Sequence, residues 1–142
     1  MLLAFAAGNL LPVQAGVNGK LARSISNPAS AALISFTTGF ICLAIYLLVT
    51  RKFQLDLDGA KAQPLWVWTG GLLGAFFVSI VTYLVPKLGA SLSFCLIIAG
   101  QLAASMIIDQ YGLFGVAVST ISFKKLAGII LVLIGVILIR NK

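Results

Sequence analysis

Long apolar runs constrain this chain more than any other feature of its sequence. A helix needs about 20 apolar residues to cross a hydrocarbon core about 30 Å thick, whereas a strand of a membrane barrel needs about ten residues of alternating polarity. The runs here are too long and too continuously apolar for barrel strands. We therefore predict five transmembrane helices, over residues 2–18, 29–50, 65–85, 90–110 and 123–139.

The scarcity of charge favours an all-α membrane protein, and we expect a single five-helix domain over residues 1–142. Hydrophobic residues make up 61% of the chain and charged residues 9%, against about 45–50% and about 25% in soluble domains. So few charges would not cover the surface of a soluble protein of this length. The last run is the shortest, because its uncharged part, residues 126–139, measures about 21 Å. A core helix or an interfacial segment is the alternative there.

The basic residues are balanced between the two sides that five crossings define. One side has Lys20, Arg23, Lys87, Arg140 and Lys142. The other has Arg51, Lys52, Lys61, Lys124 and Lys125. The positive-inside rule counts Lys and Arg, so it gives no preferred orientation. Either another determinant fixes one orientation, or copies insert both ways up and pair as an antiparallel dimer.

The first run combines a proline with three amide side chains. Pro12 cannot donate a hydrogen bond to the carbonyl of Gly8, so we expect a kink or break there. Irregular backbone at membrane depth is tolerated only against protein or a wet cavity. The amides are Asn9, Gln14 and Asn18. We predict that this segment lines a substrate path, with hydrogen bonding between helices as the alternative.

The third run separates a polar stripe from a glycine face. The stripe follows the i, i+3, i+4, i+7 spacing of one helix face and contains Ser79, Thr82, Tyr83 and Pro86. It either lines a cavity or hydrogen-bonds to neighbouring helices. The glycines of the other face are Gly70, Gly71 and Gly74. We expect them to let a neighbouring helix pack closely.

The fourth run carries Gln101, Ser105 and Asp109 at a spacing of four, which puts them on one face. Asp109 lies about 28 Å along this helix from residue 90, and therefore near the membrane interface. An acid inside a membrane segment suggests function. We expect Asp109 to act either as a coupling group or as an interfacial acid held by water or a basic partner.

The sequence does not favour an enzyme, a metal site, a cofactor or a nucleic-acid partner. It contains no His, and its two cysteines, Cys42 and Cys95, are far apart in sequence. No metal set and no pair of nucleophile and base can be assembled from these residues. The basic residues are scattered rather than clustered as a nucleic-acid patch requires.

Three stretches carry a family resemblance. They read Leu-Pro-Val-Gln-Ala-Gly-Val-Asn at 11–18, Tyr-Leu-Val-Pro-Lys-Leu-Gly-Ala at 83–90 and Gly-Gln-Leu at 100–102. Together with the five-helix plan they resemble the half-size YdcZ-like branch of the drug/metabolite transporter superfamily. The branch pattern is matched at Pro12, Gln14, Asn18, Tyr83, Pro86 and Gln101.

The resemblance implies a bacterial inner-membrane protein with half of a ten-helix fold, completed by an inverted second copy or partner. It implies a carrier, but it does not identify the solute. The small four-helix multidrug exporters of the same superfamily use a glutamate in the first helix. This sequence has no glutamate, which argues against proton-driven multidrug export.

We therefore predict a carrier of small organic solutes or metabolites that works by alternating access in the lipid bilayer. It would act as an antiparallel homodimer or as a heterodimer with an inverted homologue. Pro12 and Pro86 are the candidate kink or gating residues. The candidate substrate-binding residues are Asn9, Gln14, Asn18, Ser79, Thr82, Tyr83 and Gln101. The alternative is an accessory or assembly subunit that transports nothing.

Overall fold

The computed structural model describes residues 1–52 and 56–140, and helices dominate them. Their α-helices are α1 (Leu2–Ile25), α2 (Pro28–Val49), α3 (Leu57–Lys61), α4 (Gly70–Leu88), α5 (Ala90–Tyr111) and α6 (Phe123–Arg140). Short 3₁₀ helices cover Leu65–Thr69 and Leu113–Gly115. The first of these leads directly into α4.

Three of these helical segments are long and apolar enough to cross a membrane by length and composition. They are Pro28–Val49, Leu65–Leu88 and Ala90–Tyr111. The membrane character expected from the sequence is confirmed. The amides of α1 lower its hydropathy, and α6 holds three basic residues among its 18. Crossing by α1 and α6 therefore stays a prediction.

The first helix is longer than its apolar run. The apolar run ends at Asn18, but α1 continues to Ile25 and stops where Ser26 adopts a left-handed conformation with φ of 54°. Lys20, Leu21 and Ala22 are good helix formers, so helical backbone outlasts the apolar segment. Asn27 then caps α2 by accepting a hydrogen bond from the Ser30 N–H at 3.1 Å, and Pro28 occupies the first turn.

The helix is not interrupted at Pro12. Residues on both sides of Pro12 belong to α1, so the break considered at this position does not occur. The proline removes one backbone donor but leaves the neighbouring hydrogen bonds of the helix able to form, and membrane helices tolerate this. The milder outcome, a kink at Pro12, stays a prediction.

The Cα positions form two compact units, one up to Lys87 and one from Leu88 onward. In the first unit, alanines bring α1 and α2 together: Ala15, Ala22, Ala31 and Ala32 are all buried. In the second unit, α5 packs against α6, with Ser93, Ala99 and Val136 buried. The single five-helix domain expected from the sequence stays a prediction.

Small residues set how closely helices of the first unit approach. A Cβ atom added at Gly19 of α1 would lie 3.2 Å from Cγ of Pro86 on α4. One added at Gly74 of α4 would lie 3.4 Å from Cζ of Phe36 on α2. Gly70 and Gly71 meet nothing within 4 Å in the described part of the chain. Close packing at these last two glycines therefore stays a prediction.

Several hydroxyl side chains are satisfied by their own helix. Each donates to the carbonyl four residues earlier, at distances of 2.7–2.9 Å. The pairs are Thr37 to Leu33, Thr38 to Ile34, Ser79 to Ala75 and Ser93 to Gly89. A hydroxyl bonded in this way exposes little unmet polarity to lipid.

Candidate functional site

An open crevice with a volume of about 350 Å³ lies between α1 and α2 in the first unit. Gln14 comes from α1, and α2 contributes the rest of the lining: Ser35, Phe36, Gly39, Phe40 and Leu43. We call it the α1/α2 crevice. Phe36 and Phe40 lie one helical turn apart, so their rings line the same wall. Gly39 beside them has no Cβ, and no atom of residues 1–52 and 56–140 lies within 4 Å of the position that a Cβ would take.

The chemistry of the α1/α2 crevice suits an uncharged organic molecule. Its lining has no charged side chain, and its polar groups are the Gln14 amide and the Ser35 hydroxyl. An amide both donates and accepts hydrogen bonds, so it can orient a neutral or zwitterionic solute. Small-molecule sites usually combine apolar and aromatic walls with a few such groups, in volumes of about 300–1,000 Å³. The crevice matches the lower end of that range.

A second crevice of about 160 Å³ lies where α1 approaches α4 in the same unit. We call it the α1/α4 crevice. It is lined by Gly19, Ala22, Arg23, Pro28, Thr82, Tyr83, Pro86 and Lys87. Ala22 and Thr82 form a buried floor, whereas Arg23, Tyr83 and Lys87 are exposed. The Lys87 ammonium donates a hydrogen bond to the Tyr83 hydroxyl and lies 3.9 Å from the centre of the Tyr83 ring.

Two polar atoms of the first unit are buried without a hydrogen-bond partner among the described residues. They are Nδ2 of Asn18 on α1 and Oγ1 of Thr82 on α4. Asn18 is 4% exposed and Thr82 is 1% exposed. Buried polar groups are nearly always paired, so each unpaired one calls for an explanation, such as a ligand that completes it.

The predicted site residues of the first unit do not all line the same crevice. Gln14 lines the α1/α2 crevice, and Thr82, Tyr83 and Pro86 line the α1/α4 crevice. Asn9 is exposed and lines neither crevice. The Ser79 hydroxyl donates to the Ala75 carbonyl within α4. The polar stripe of the third run is therefore only partly gathered around one cavity.

In the second unit, a crevice of about 360 Å³ opens between α5 and α6. It is lined by Leu102, Ser105, Met106, Asp109, Lys125, Gly128 and Ile129. Ser105 and Asp109 thus share a face as expected, whereas Gln101 is exposed and does not line this crevice. Whether Gln101 binds a solute stays a prediction.

Asp109 has a basic partner at the end of α5. Its carboxylate lies 3.7 Å from Nζ of Lys125, which also donates to the carbonyl and the hydroxyl of Ser119, at 3.1 and 2.8 Å. The Ser119 N–H in turn donates to the Asp109 carbonyl at 2.9 Å. Lys125 therefore ties the segment before α6 to the end of α5. Asp109 thus has the basic partner that the interfacial role requires, and the choice between that role and a coupling role stays a prediction.

Sequence reasoning missed the aromatic wall of the α1/α2 crevice. Phe36 and Phe40 lie inside an apolar run, where two more apolar residues carry no distinguishing pattern. Their spacing of four, with the small residues Ser35 and Gly39 beside them, is the signal that could have found them. In sequence, Lys125 is only a flanking charge, because its partner Asp109 is 16 positions earlier in the chain.

Metal ligands do not cluster anywhere in residues 1–52 and 56–140. Cys42 is exposed and Cys95 half-buried, and both are free thiols.

Comparison with known proteins identifies a family. A family model described as "Putative inner membrane exporter, YdcZ" matches residues 1–138. No curated protein and no solved structure matches the chain.

Proposed function

Because the chain belongs to the YdcZ family of inner-membrane exporters, we propose that it carries small organic solutes or metabolites by alternating access, as an antiparallel dimer. The family is one of transporters rather than enzymes, and the chain is an integral protein of the inner membrane. The proposal adds a class of solute, a mechanism and an assembly to that family role.

The observation that carries the class of solute is the α1/α2 crevice. Gln14, which has a hydrogen-bonding amide, lines the same crevice of about 350 Å³ as the aromatic side chains Phe36 and Phe40. The lining holds no formal charge, and a charged solute would lose its hydration there without gaining an ion pair. A neutral or zwitterionic solute with an apolar part fits these surroundings.

The antiparallel dimer is supported by charge and by the exposed glycines of α4. Lys and Arg are equally divided between the predicted sides, so neither orientation is favoured. Gly70 and Gly71 leave room for a helix that the described residues do not supply. Inverted pairs of repeats give two equivalent conformations that open to opposite sides of the membrane, as alternating access requires.

Gln14→Ala tests the role of the crevice. Purified protein in proteoliposomes is first screened for binding against neutral and zwitterionic organic solutes, and the uptake of each radiolabelled hit is then measured. We expect Gln14→Ala to lower the initial uptake rate about tenfold, since it removes a hydrogen bond that orients the solute. Insertion into the membrane should be unchanged.

Gln63→Ala is the matched control, because it removes the same amide between α3 and α4, outside both crevices. Its uptake should equal that of the unmodified protein. Equal uptake in Gln14→Ala and the control would remove Gln14 from the solute path. Uptake no faster than in empty liposomes for the whole panel, with a partner protein copurifying, would favour the accessory-subunit alternative.

A further inference from the structure

The α1/α4 crevice gathers positive charge that nothing in the described chain neutralises. Arg23 and Lys87 both line it. The sequence has only three acids, Asp56, Asp58 and Asp109. The ion pair found among residues 1–52 and 56–140 joins Asp109 to Lys125 in the other unit. Two cations at one small opening are therefore available to an anion from outside the chain.

The Lys87 side chain is held in place at the rim of the crevice. Its ammonium donates to the Tyr83 hydroxyl and lies 3.9 Å from the centre of the Tyr83 ring. An ammonium has three N–H donors, so Lys87 can donate to a ligand without losing Tyr83. Holding the charge in advance reduces the entropy that binding would cost.

Arg23 lies in the last turn of α1 and adds a planar, permanently charged group. A guanidinium donates two parallel hydrogen bonds to the oxygens of a phosphate or carboxylate, which a single ammonium does not. Arg therefore supplies the directional hydrogen bonds to a phosphate, and Lys adds a compact positive charge. The volume of about 160 Å³ limits the bound part to a small group.

The floor of the crevice offers an unpaired polar atom. Thr82 lines the crevice, is 1% exposed, and its hydroxyl has no partner among the described residues. Leaving a buried hydroxyl unpaired is unfavourable unless a ligand completes it. Ala22, the other buried residue of this floor, has no polar side chain that could pair with the hydroxyl.

We propose that the α1/α4 crevice binds one phosphate group through Arg23, Lys87 and the Thr82 hydroxyl. The phosphate belongs either to the headgroup of an anionic phospholipid or to a free phosphate in solution. This site is separate from the α1/α2 crevice, whose lining has no charge, and its occupancy does not depend on transport.

The test measures binding to purified protein in an uncharged detergent. The probes are dioctanoyl phosphatidylglycerol, inorganic phosphate, and dioctanoylglycerol, which lacks a phosphate. The double variant R23Q/K87Q is compared with R51Q/K61Q, which removes one Arg and one Lys from elsewhere in the first unit. We expect R23Q/K87Q to weaken phosphate-dependent binding at least about tenfold, as loss of charge-assisted hydrogen bonds implies, and R51Q/K61Q to leave it unchanged.

The two phosphate probes identify the source. A loss confined to phosphatidylglycerol supports a lipid headgroup, and a loss confined to inorganic phosphate supports a free phosphate. Equal binding in R23Q/K87Q and the unmodified protein overturns the proposal. An equal loss in both double variants also overturns it, since it would reflect net charge rather than this crevice.

Thr82→Val provides a second readout that a general charge effect does not move. Valine keeps the shape of the side chain and removes the hydroxyl. We expect phosphate binding to weaken about fivefold, since one hydrogen bond is lost, while thermal unfolding of the ligand-free protein shifts to a higher temperature. Thr37→Val is the matched control, because the Thr37 hydroxyl already bonds to Leu33. Unchanged phosphate affinity in Thr82→Val would overturn the assignment of this hydroxyl.

Discussion

Gln14 and Phe36 line the same crevice, but the sequence indicates a functional role only for Gln14. Gln14 interrupts an apolar run, so its polarity alone identifies it as a candidate. Phe36 is an aromatic residue in a run where most residues are apolar, and its role depends on the helix that packs beside it. Polar residues of a membrane chain can therefore be predicted as site residues more readily than the apolar walls around them.

Asp109 is a polar residue that the sequence identifies as a candidate without identifying its partner. The sequence identifies it as an acid near the membrane interface, but its ion-pair partner lies beyond the connecting segment, on the next helix. Lys125 is both its ion-pair partner and a donor to Ser119. The partner could not be assigned from sequence, because Lys124 and Lys125 are adjacent and only the path of the connecting segment selects one.

At the residue scale, we predict that Lys125→Met destabilises the protein more than Asp109→Asn. The ion pair is about one-third exposed on both sides, so its loss in Asp109→Asn should lower the free energy of unfolding by only about 0–1 kcal/mol. Lys125→Met also removes the hydrogen bonds to Ser119. Thermal unfolding of both variants, followed by circular dichroism of the helices, checks the order. If Asp109→Asn abolished transport without a change in unfolding, Asp109 would be a coupling group instead.

At the scale of the element, apolar runs predict where helices lie better than where they end. The second, fourth and fifth runs match α2, α5 and α6 to within one residue at each end. The first and third runs do not, since α1 continues to Ile25 and α4 begins at Gly70 and ends at Leu88. Hydropathy locates the segment suited to lipid, whereas helix propensity and capping decide where the backbone stops being helical. Gly19 to Ile25 are helical for this reason, although Lys20 and Arg23 interrupt the apolar character.

The approach of α1 to α4 gives a prediction at this scale. Gly19→Leu should destabilise the protein by about 1–3 kcal/mol, since its Cβ would lie 3.2 Å from the rigid ring of Pro86. Gly16→Leu, one turn earlier on the same helix, is the matched control, because no described residue comes within 4 Å of a Cβ added there. Thermal unfolding of the two variants in the same detergent measures the difference. Equal midpoints would show that α1 and α4 do not approach closely at Gly19.

At the scale of the whole molecule, the equal division of Lys and Arg between the two predicted sides suggests that the chain pairs with a second, inverted chain. Helix propensity and local packing are encoded in each segment, so much of the helical structure follows from sequence. A partner leaves only indirect signs, such as equal charge on the two predicted sides and glycines that meet no other described residue. The antiparallel assembly is therefore a proposal that requires measurement of orientation.

We predict that reporter tags on the N terminus and the C terminus will each be found on both sides of the membrane. Equal numbers of Lys and Arg on the two predicted sides give no orientation an advantage. Protease accessibility of tags in sealed vesicles of known orientation provides the measurement. A single location for each terminus would remove the homodimer and require an inverted homologue as partner.

The double variant Ala62→Lys/Gln63→Lys sharpens this experiment by adding two charges to one predicted side. It should fix one orientation and reduce transport. Ser24→Lys/Gln63→Lys adds the same total charge, one to each predicted side, and should keep both orientations. If the balanced variant became fixed as well, the number of charges rather than their distribution would control insertion.

The internal bonding of the α2 hydroxyls affects how this helix can associate. Thr37 and Thr38 donate to Leu33 and Ile34 of their own helix, so neither side chain needs an acceptor from a second protein or from solvent. If α2 rotated about its long axis, the threonines would present methyl groups to the lipid acyl chains, and their hydroxyls would stay hydrogen-bonded within the helix. The surface that α2 offers to another helix is therefore selected by shape, and conservative exchanges between Thr and Val on it should leave membrane insertion unaffected.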